Sequence, residues 1–173
     1  MVLSTQYIYG MSMIKFFVEY HSGRRQPNLE FWLNGQQLTA TTEWQNSVSQ
    51  TQTNAIVAAE CELLDHNCLE IWQRDKTDAD LVQHHEQWID HWCKIQEIEI
   101  DGVRCQTALY LCTEFEHAMS ADWVNHMASQ GHIIPAMYRP GGTDIRLNGC
   151  CRMHFTTPVW QWYVTHYDNE STH

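Results

Sequence analysis

Eleven histidines and seven cysteines are the side chains of this 173-residue chain whose types most invite chemistry. The densest histidine group is His84, His85 and His91, in a stretch whose Leu81, His85, Trp88, Trp92 and Ile95 recur at helical spacing. Two ligands on one helix share a metal ion when they lie three or four residues apart, whereas His84 and His91 are seven apart, about 10.5 Å along the axis. No His-Glu-x-x-His run occurs, and His85 falls in the Trp and Leu stripe, where a hydrogen-bonded core or interface histidine is the plainer reading. Cys61 and Cys68 with His66 between them, then Cys93, Cys105, Cys112 and Cys150-Cys151 near His154, form no Cys-x2-Cys pair. They read as buried structural thiols, and neither a metal site nor a cofactor is expected.

Nucleotide chemistry is equally unsupported. His154-Phe155-Thr156 resembles one half of the paired His-x-Thr motifs of two-histidine phosphoesterases, but no second half is present. No glycine run makes a phosphate loop. Catalysis would need histidines gathered from separate elements, with some of His117, His126, His154 and His166 converging on one pocket. Without such convergence no catalytic residue is assigned and the chain reads as non-enzymatic.

The aromatic and charged residues point to contacts instead. Eight tryptophans are many for this length. Trp88 and Trp92 share one face of the expected helix, and Trp160 and Trp162 occupy alternate positions of an expected strand, so these four are the candidate interface residues. Arg24 and Arg25 form the one close basic pair and are the candidate nucleic-acid contact. The net charge is −11, and from Glu60 to Asp101 twelve acids face only Arg74, Lys76 and Lys94. That segment repels phosphate and would suit a basic partner, an acidic mimic of nucleic acid, or simply a solvated face.

Positioning these residues falls to short strands and tight turns. Residues 1–20 are aromatic and β-branched and read as strand, ending at His21-Ser22-Gly23. Phe31-Trp32-Leu33 and Gln36–Thr42 flank Asn34-Gly35, and Ile98–Ile100 and Val103–Cys112 flank Asp101-Gly102, two strong hairpin turns. Residues 44–54 are expected to loop, and Ile56–Leu64 with Leu69–Gln73 to form a further hairpin around Asp65-His66-Asn67. Helices are expected from Asp78 to about Ile95 and, N-capped by Ser120 and closed by Gly131, over the segment between them. Strands are expected near His132–Tyr138, Asp144–Leu147, Cys150–Thr156 and Val159–His166. The sum is one α+β domain over residues 1–173: an antiparallel β-hairpin-rich sheet or half-barrel with two helices. No apolar run spans a membrane and the start lacks the layout of a secretory signal, so a cytoplasmic location is expected.

Residues 59–74, AECELLDHNCLEIWQR, have the acidic strand, turn and aromatic strand of small accessory subunits of type III CRISPR effector complexes and resemble them over that stretch. The resemblance implies a non-catalytic subunit, without cofactor, that docks on the backbone proteins of an RNA-guided antiviral ribonucleoprotein, with at most a local RNA contact. Two alternatives stand beside it: a phage-type inhibitor acting as an acidic nucleic-acid mimic, and a histidine-dependent enzyme.

Overall fold

The computed structural model describes residues 10–22, 25–45, 49, 51–80, 82–84, 87–140 and 143–168. Its strands and helices run β1 (Met11–His21), β2 (Leu29–Leu33), β3 (Gln36–Gln37), β4 (Ala40–Trp44), β5 (Gln52–Glu62) and β6 (His66–Gln73), then a 3-10 turn at Asp78–Asp80. There follow β7 (Val82–His84), β8 (Gln87–Ile89), β9 (Trp92–Ile100), β10 (Val103–Arg104), α1 (Gln106–Cys112) and β11 (Thr113–His117). The chain continues through α2 (Ala121–Ser129), β12 (Met137–Tyr138), β13 (Asp144–Ile145), β14 (Gly149–Thr156) and α3 (Val159–Asp168). This is the antiparallel, hairpin-rich α+β class, with two helices of nine and ten residues and the shorter α1.

Twelve of the fourteen described strands divide between two six-stranded sheets, and β7 and β8 pair as a separate two-stranded ribbon. The first has the order β10-β9-β1-β5-β4, with β13 on the far edge of β9, and the second β12-β11-β14-β6-β2-β3. Strict alternation along β1 buries Ser12, Ile14, Phe16, Val18 and Tyr20 and leaves Lys15, Phe17 and Glu19 on the outer face. Opposite them, β5 offers Ala55, Val57 and Ala59, in register with Val18, Phe16 and Ile14. Small residues beside bulky ones leave room for the second sheet to interlock: Phe31 of β2 lies on Phe16, ring centroids 4.3 Å apart. A single buried cluster joins this pair to Leu69, Ile71, Ile95, Ile98, Met153 and Phe155, and burying each such side chain contributes roughly 1.5–3 kcal/mol.

The tight turns form where the sequence places them. Asn34-Gly35 and Asp101-Gly102 have φ of 52° and 78°, and 49° and 81°, the doubly left-handed geometry that matches strand twist. Ser120 Oγ accepts the Trp123 N–H at 3.2 Å and caps α2, and Gly131 (φ 86°) closes it. Gly149 is required for another reason, since a Cβ there would lie 2.4 Å from the Glu116 carbonyl oxygen.

Several expectations are corrected. The segment Asp78–Ile95 is no helix: it forms the 3-10 turn, the β7–β8 hairpin and the start of β9. The apolar spacing misleads because its residues belong to separate strands, Trp88 to β8 and Trp92 and Ile95 to β9. β9 runs on past Ile95 through a bulge at Gln96, where Phe17 pairs with Glu97 but Val18 with Ile95, so its buried positions are Cys93, Ile95, Ile98 and Ile100. Val159–His166 is helical, not a strand, and begins directly after Pro158, whose fixed φ suits a helix start. Val103–Cys112 gives only two strand residues before α1, whose Ala108 packs in the core. The strands near His132 and Asp144 shrink to Met137–Tyr138 and Asp144–Ile145.

β5 and β6 are not hairpin partners but lie in different sheets. Asn67 turns the chain between them, accepting from Leu64 N and donating to Leu64 O. The expected 44–54 loop is shorter than drawn, since β4 reaches Trp44 and β5 begins at Gln52; residues 46–48 and Gln50 lie outside the described residues. So do residues 1–9 of the expected first strand. No described helix is long and apolar enough to cross a membrane.

Candidate functional site

β4, at one edge of the first sheet, and β3, at one edge of the second, follow each other directly in the chain through Leu38-Thr39. Cross-strand partners share a face, and Thr42 and Trp44 pair with Val57 and Ala55. The side chains of Thr42 and Trp44 therefore continue the inner face of the first sheet beyond the point where the second sheet covers it. The result is a groove between the sheets. One section, about 400 Å³, is walled by Tyr20, Thr42 and Trp44 on one side and by Gln26, Asn28, Phe31 and Gln37 on the other. The adjoining section, about 410 Å³, shares Gln37 and Leu38 and adds Asn34, Gln36, Glu60 and Glu62.

Trp44 is 50% exposed and tilted at 53° against Tyr20, ring centroids 5.3 Å apart. Tyr20 is itself buried, which pushes its phenol up, with Cys93 adding to the effect. A rigid aromatic wall thus backs an open indole. Glu30 also lines the groove and accepts from Trp32 Nε1 at 3.2 Å. Among the described residues no Lys, Arg or His lines either section.

A second polar cluster holds one end of the sandwich. Arg25 grips Asp80 through Nε and Nη2, both at 2.9 Å, and also binds Asp75 through its side chain and carbonyl. Burial of Asp80 opposes its ionisation, but hydrogen bonds from Arg25 and from Thr77 outweigh it and hold the carboxyl at about 2. Lys76 bridges to Asp90, and Lys76 N donates to Asn148 Oδ1 at 2.9 Å. This is a structural knot: every charge in it already has an opposite neighbour.

The residues singled out from sequence are dispersed. Trp88 stands on β8, and its side chain lies outside the described residues, as does Arg24. Trp92 is half-buried between His21, stacked at 3.9 Å and 7°, and Arg146, 4.0 Å from its centroid; two groups that close must cover opposite faces of the ring. Trp160 is 60% exposed while Trp162 is buried against Phe155, because residues two apart on a helix face different ways. Arg25 is engaged by Asp75 and Asp80 as described above. Trp160 and Trp162 therefore share no face.

His117 and His154 do not meet. His117 pairs with Gly149, five residues along β14 from His154, about 17 Å at strand rise. His126 of α2 contacts Gln130, the residue just past that helix, and the His166 side chain lies outside the described residues, as does His85. His84 is a β7 backbone position, and His91 is buried in the end knot. All seven cysteines are free thiols and five are buried. Burial pushes Cys105, Cys150 and Cys151 up to about 12 and Cys61 up to about 11, far from thiolate chemistry at neutral pH. No three His, Cys, Asp or Glu among the described residues gather as metal ligands.

Sequence reasoning missed Trp44 and its neighbours. Trp44 closes the run Ala40-Thr41-Thr42-Glu43-Trp44, whose alternation could have marked an edge strand, but Asn28 and Gln37 carry no sequence signal at all. No protein-family model, no curated protein and no solved structure matches this chain.

Proposed function

We infer that the protein is a non-catalytic binding module that acts by contact, as an accessory component of a larger assembly. The observation that carries this reading is the open groove between β3 and β4, where Trp44 stands half-exposed beside polar side chains. The end knot's charges are paired and five of the seven thiols are buried. An exposed tryptophan held by a rigid neighbour binds with little loss of conformational entropy, which is what recognition surfaces use.

The acidic segment supports this reading better than a nucleic-acid mimic. Of its twelve acids, Glu70, Asp75, Asp80, Asp90, Glu97 and Glu99 are already in ion pairs, with Arg152, Arg25, Lys76, Arg104 and Lys15 among their partners. A mimic would present such carboxylates unpaired along one face.

The test is the native mass and composition of the tagged protein purified from its own cells. Co-elution with larger proteins, lost on replacing Trp44, supports the reading, and a discrete RNA in that particle would make the host a ribonucleoprotein of the RNA-guided kind. A bare particle of 20.4 kDa would overturn it.

A further inference from the structure

We propose that the groove between β3 and β4 is a saccharide-binding site for a neutral oligosaccharide, with Trp44 as its stacking platform. The inference deepens the binding-module reading and rests on it for biological sense, but its chemistry stands on the lining alone.

Three properties of the lining select the ligand class. The first is charge. With no cation among the described lining residues, and with Glu60, Glu62 and Glu30 present, the last with Arg74 at 3.8 Å, a phosphate or carboxylate ligand would meet net repulsion. A nucleic acid is disfavoured for the same reason. A neutral ligand bears no such cost, and carboxylates accept strongly from hydroxyl groups.

The second is hydrogen-bonding capacity. The side-chain amides of Gln26, Asn28 and Gln37 make no hydrogen bond among the described residues, and they line the same section as the Thr42 hydroxyl. Each amide offers both a donor and an acceptor, which matches the dual character of vicinal hydroxyls. A purely apolar ligand would leave these groups without water and without partners.

The third is the aromatic surface. A pyranose ring has one face of axial C–H groups, weakly polarised donors that pack on an indole. Trp44 is 50% exposed and packs at a tilt against Tyr20, which lines the same section. The Trp44 section, about 400 Å³, and the one of about 410 Å³ beside it across Gln37 and Leu38 together offer room for more than a single ring. A peptide strand added to the β4 edge is the competing occupant. It would use backbone groups and require no amide cluster.

The experiment titrates the purified full chain with cellohexaose, maltohexaose, mannohexaose and chitohexaose at millimolar concentration. Binding is read by calorimetry and by the Trp44 indole N–H resonance. At least one hexasaccharide is expected to bind. Trp44→Ala should weaken it roughly tenfold or more, Gln37→Ala roughly threefold, and Trp160→Ala not at all. Gln37→Ala keeps the test decisive if the tryptophan variant folds poorly. The proposal is overturned if none of the four binds, if binding is unchanged by both groove substitutions, or if a strand-forming peptide and no sugar shifts the Trp44 resonance. Absence of sugar binding by a chain that still co-elutes with larger proteins would remove the saccharide and leave the binding module standing.

Discussion

His91 Nε2 and Asp75 Oδ1 face each other at 3.6 Å at the end of the sandwich, and neither has a hydrogen-bond partner among the described residues. His91 Nδ1 lies 3.1 Å from the Arg25 carbonyl oxygen, which can only accept. A neutral ring must therefore carry its proton on Nδ1, and its Nε2 lone pair then points at a carboxylate oxygen. One bridging water that donates to the carboxylate and to the lone pair would satisfy both atoms. Long-range nitrogen–proton spectra of the imidazole are expected to show Nδ1 protonated. A neutral ring protonated at Nε2 alone would refute the assignment. His91→Phe, which keeps the bulk and leaves the Arg25 carbonyl without a donor, should cost about 1–3 kcal/mol, and His91→Asn, with an amide donor, should recover part of that in urea unfolding.

Asp80 gives the fold an acid limit. Its folded carboxyl sits at about 2, below the ordinary 3.8, so ionised Asp80 stabilises the native state above its unfolded value. That contribution fades as the pH falls below 3.8 and is gone once the folded group protonates near 2. Asp80→Asn should lower the thermal midpoint by several degrees near neutrality, and the gap between variant and wild type should close on acidification. Melting curves across that range check it; a gap independent of pH would show that shape, not charge, matters at this position.

Thiol reactivity follows burial. Cys61, Cys93, Cys105, Cys150 and Cys151 are buried while Cys68 and Cys112 are half-buried, and burial, with Glu70 nearby, pushes even Cys68 upward. A native titration with an aromatic disulfide reagent at mildly alkaline pH should register at most two fast equivalents, the other five appearing only on unfolding. Rapid reaction of all seven in the native state would contradict the packing.

Gly149 tests how closely β11 and β14 approach. A methyl group there would meet the Glu116 carbonyl at 2.4 Å and the Phe115 ring at 2.8 Å, and the first of these is backbone that cannot swing aside. Gly149→Ala should destabilise by about 1–3 kcal/mol, measured by chemical denaturation. An unchanged midpoint would mean the two strands separate at that end.

What the sequence discloses is local geometry, and what it withholds is partnership. The alternation of β1 and the Asn-Gly and Asp-Gly turns are legible because each rests on neighbouring residues alone. The Asp65-His66-Asn67 corner looks like a hairpin turn from composition, yet its flanking strands diverge into separate sheets because β1 claims β5 and β14 claims β6. The spacing of Trp88, Trp92 and Ile95 imitates one helix although β8 and β9 are separate strands. The groove is illegible for the same reason as the sheets: Gln37 on β3, Trp44 on β4 and Gln26 ahead of β2 line one section only because the fold brings together elements of two different sheets.

The tryptophans of α3 turn that lesson into a measurement. On a strand Trp160 and Trp162 would share a face and their substitutions would act alike. On the helix they part, Trp160 standing 60% exposed and Trp162 only 6%, packed on Phe155 at 5.8 Å. Trp162→Ala should therefore open a cavity beside the core and cost about 3–5 kcal/mol, whereas Trp160→Ala should stay within about 0.5 kcal/mol of wild type. Denaturant midpoints of the two variants decide it. Equal losses would return the segment to a strand, and a large loss from Trp160 alone would mean that the exposed indole covers something the isolated chain needs.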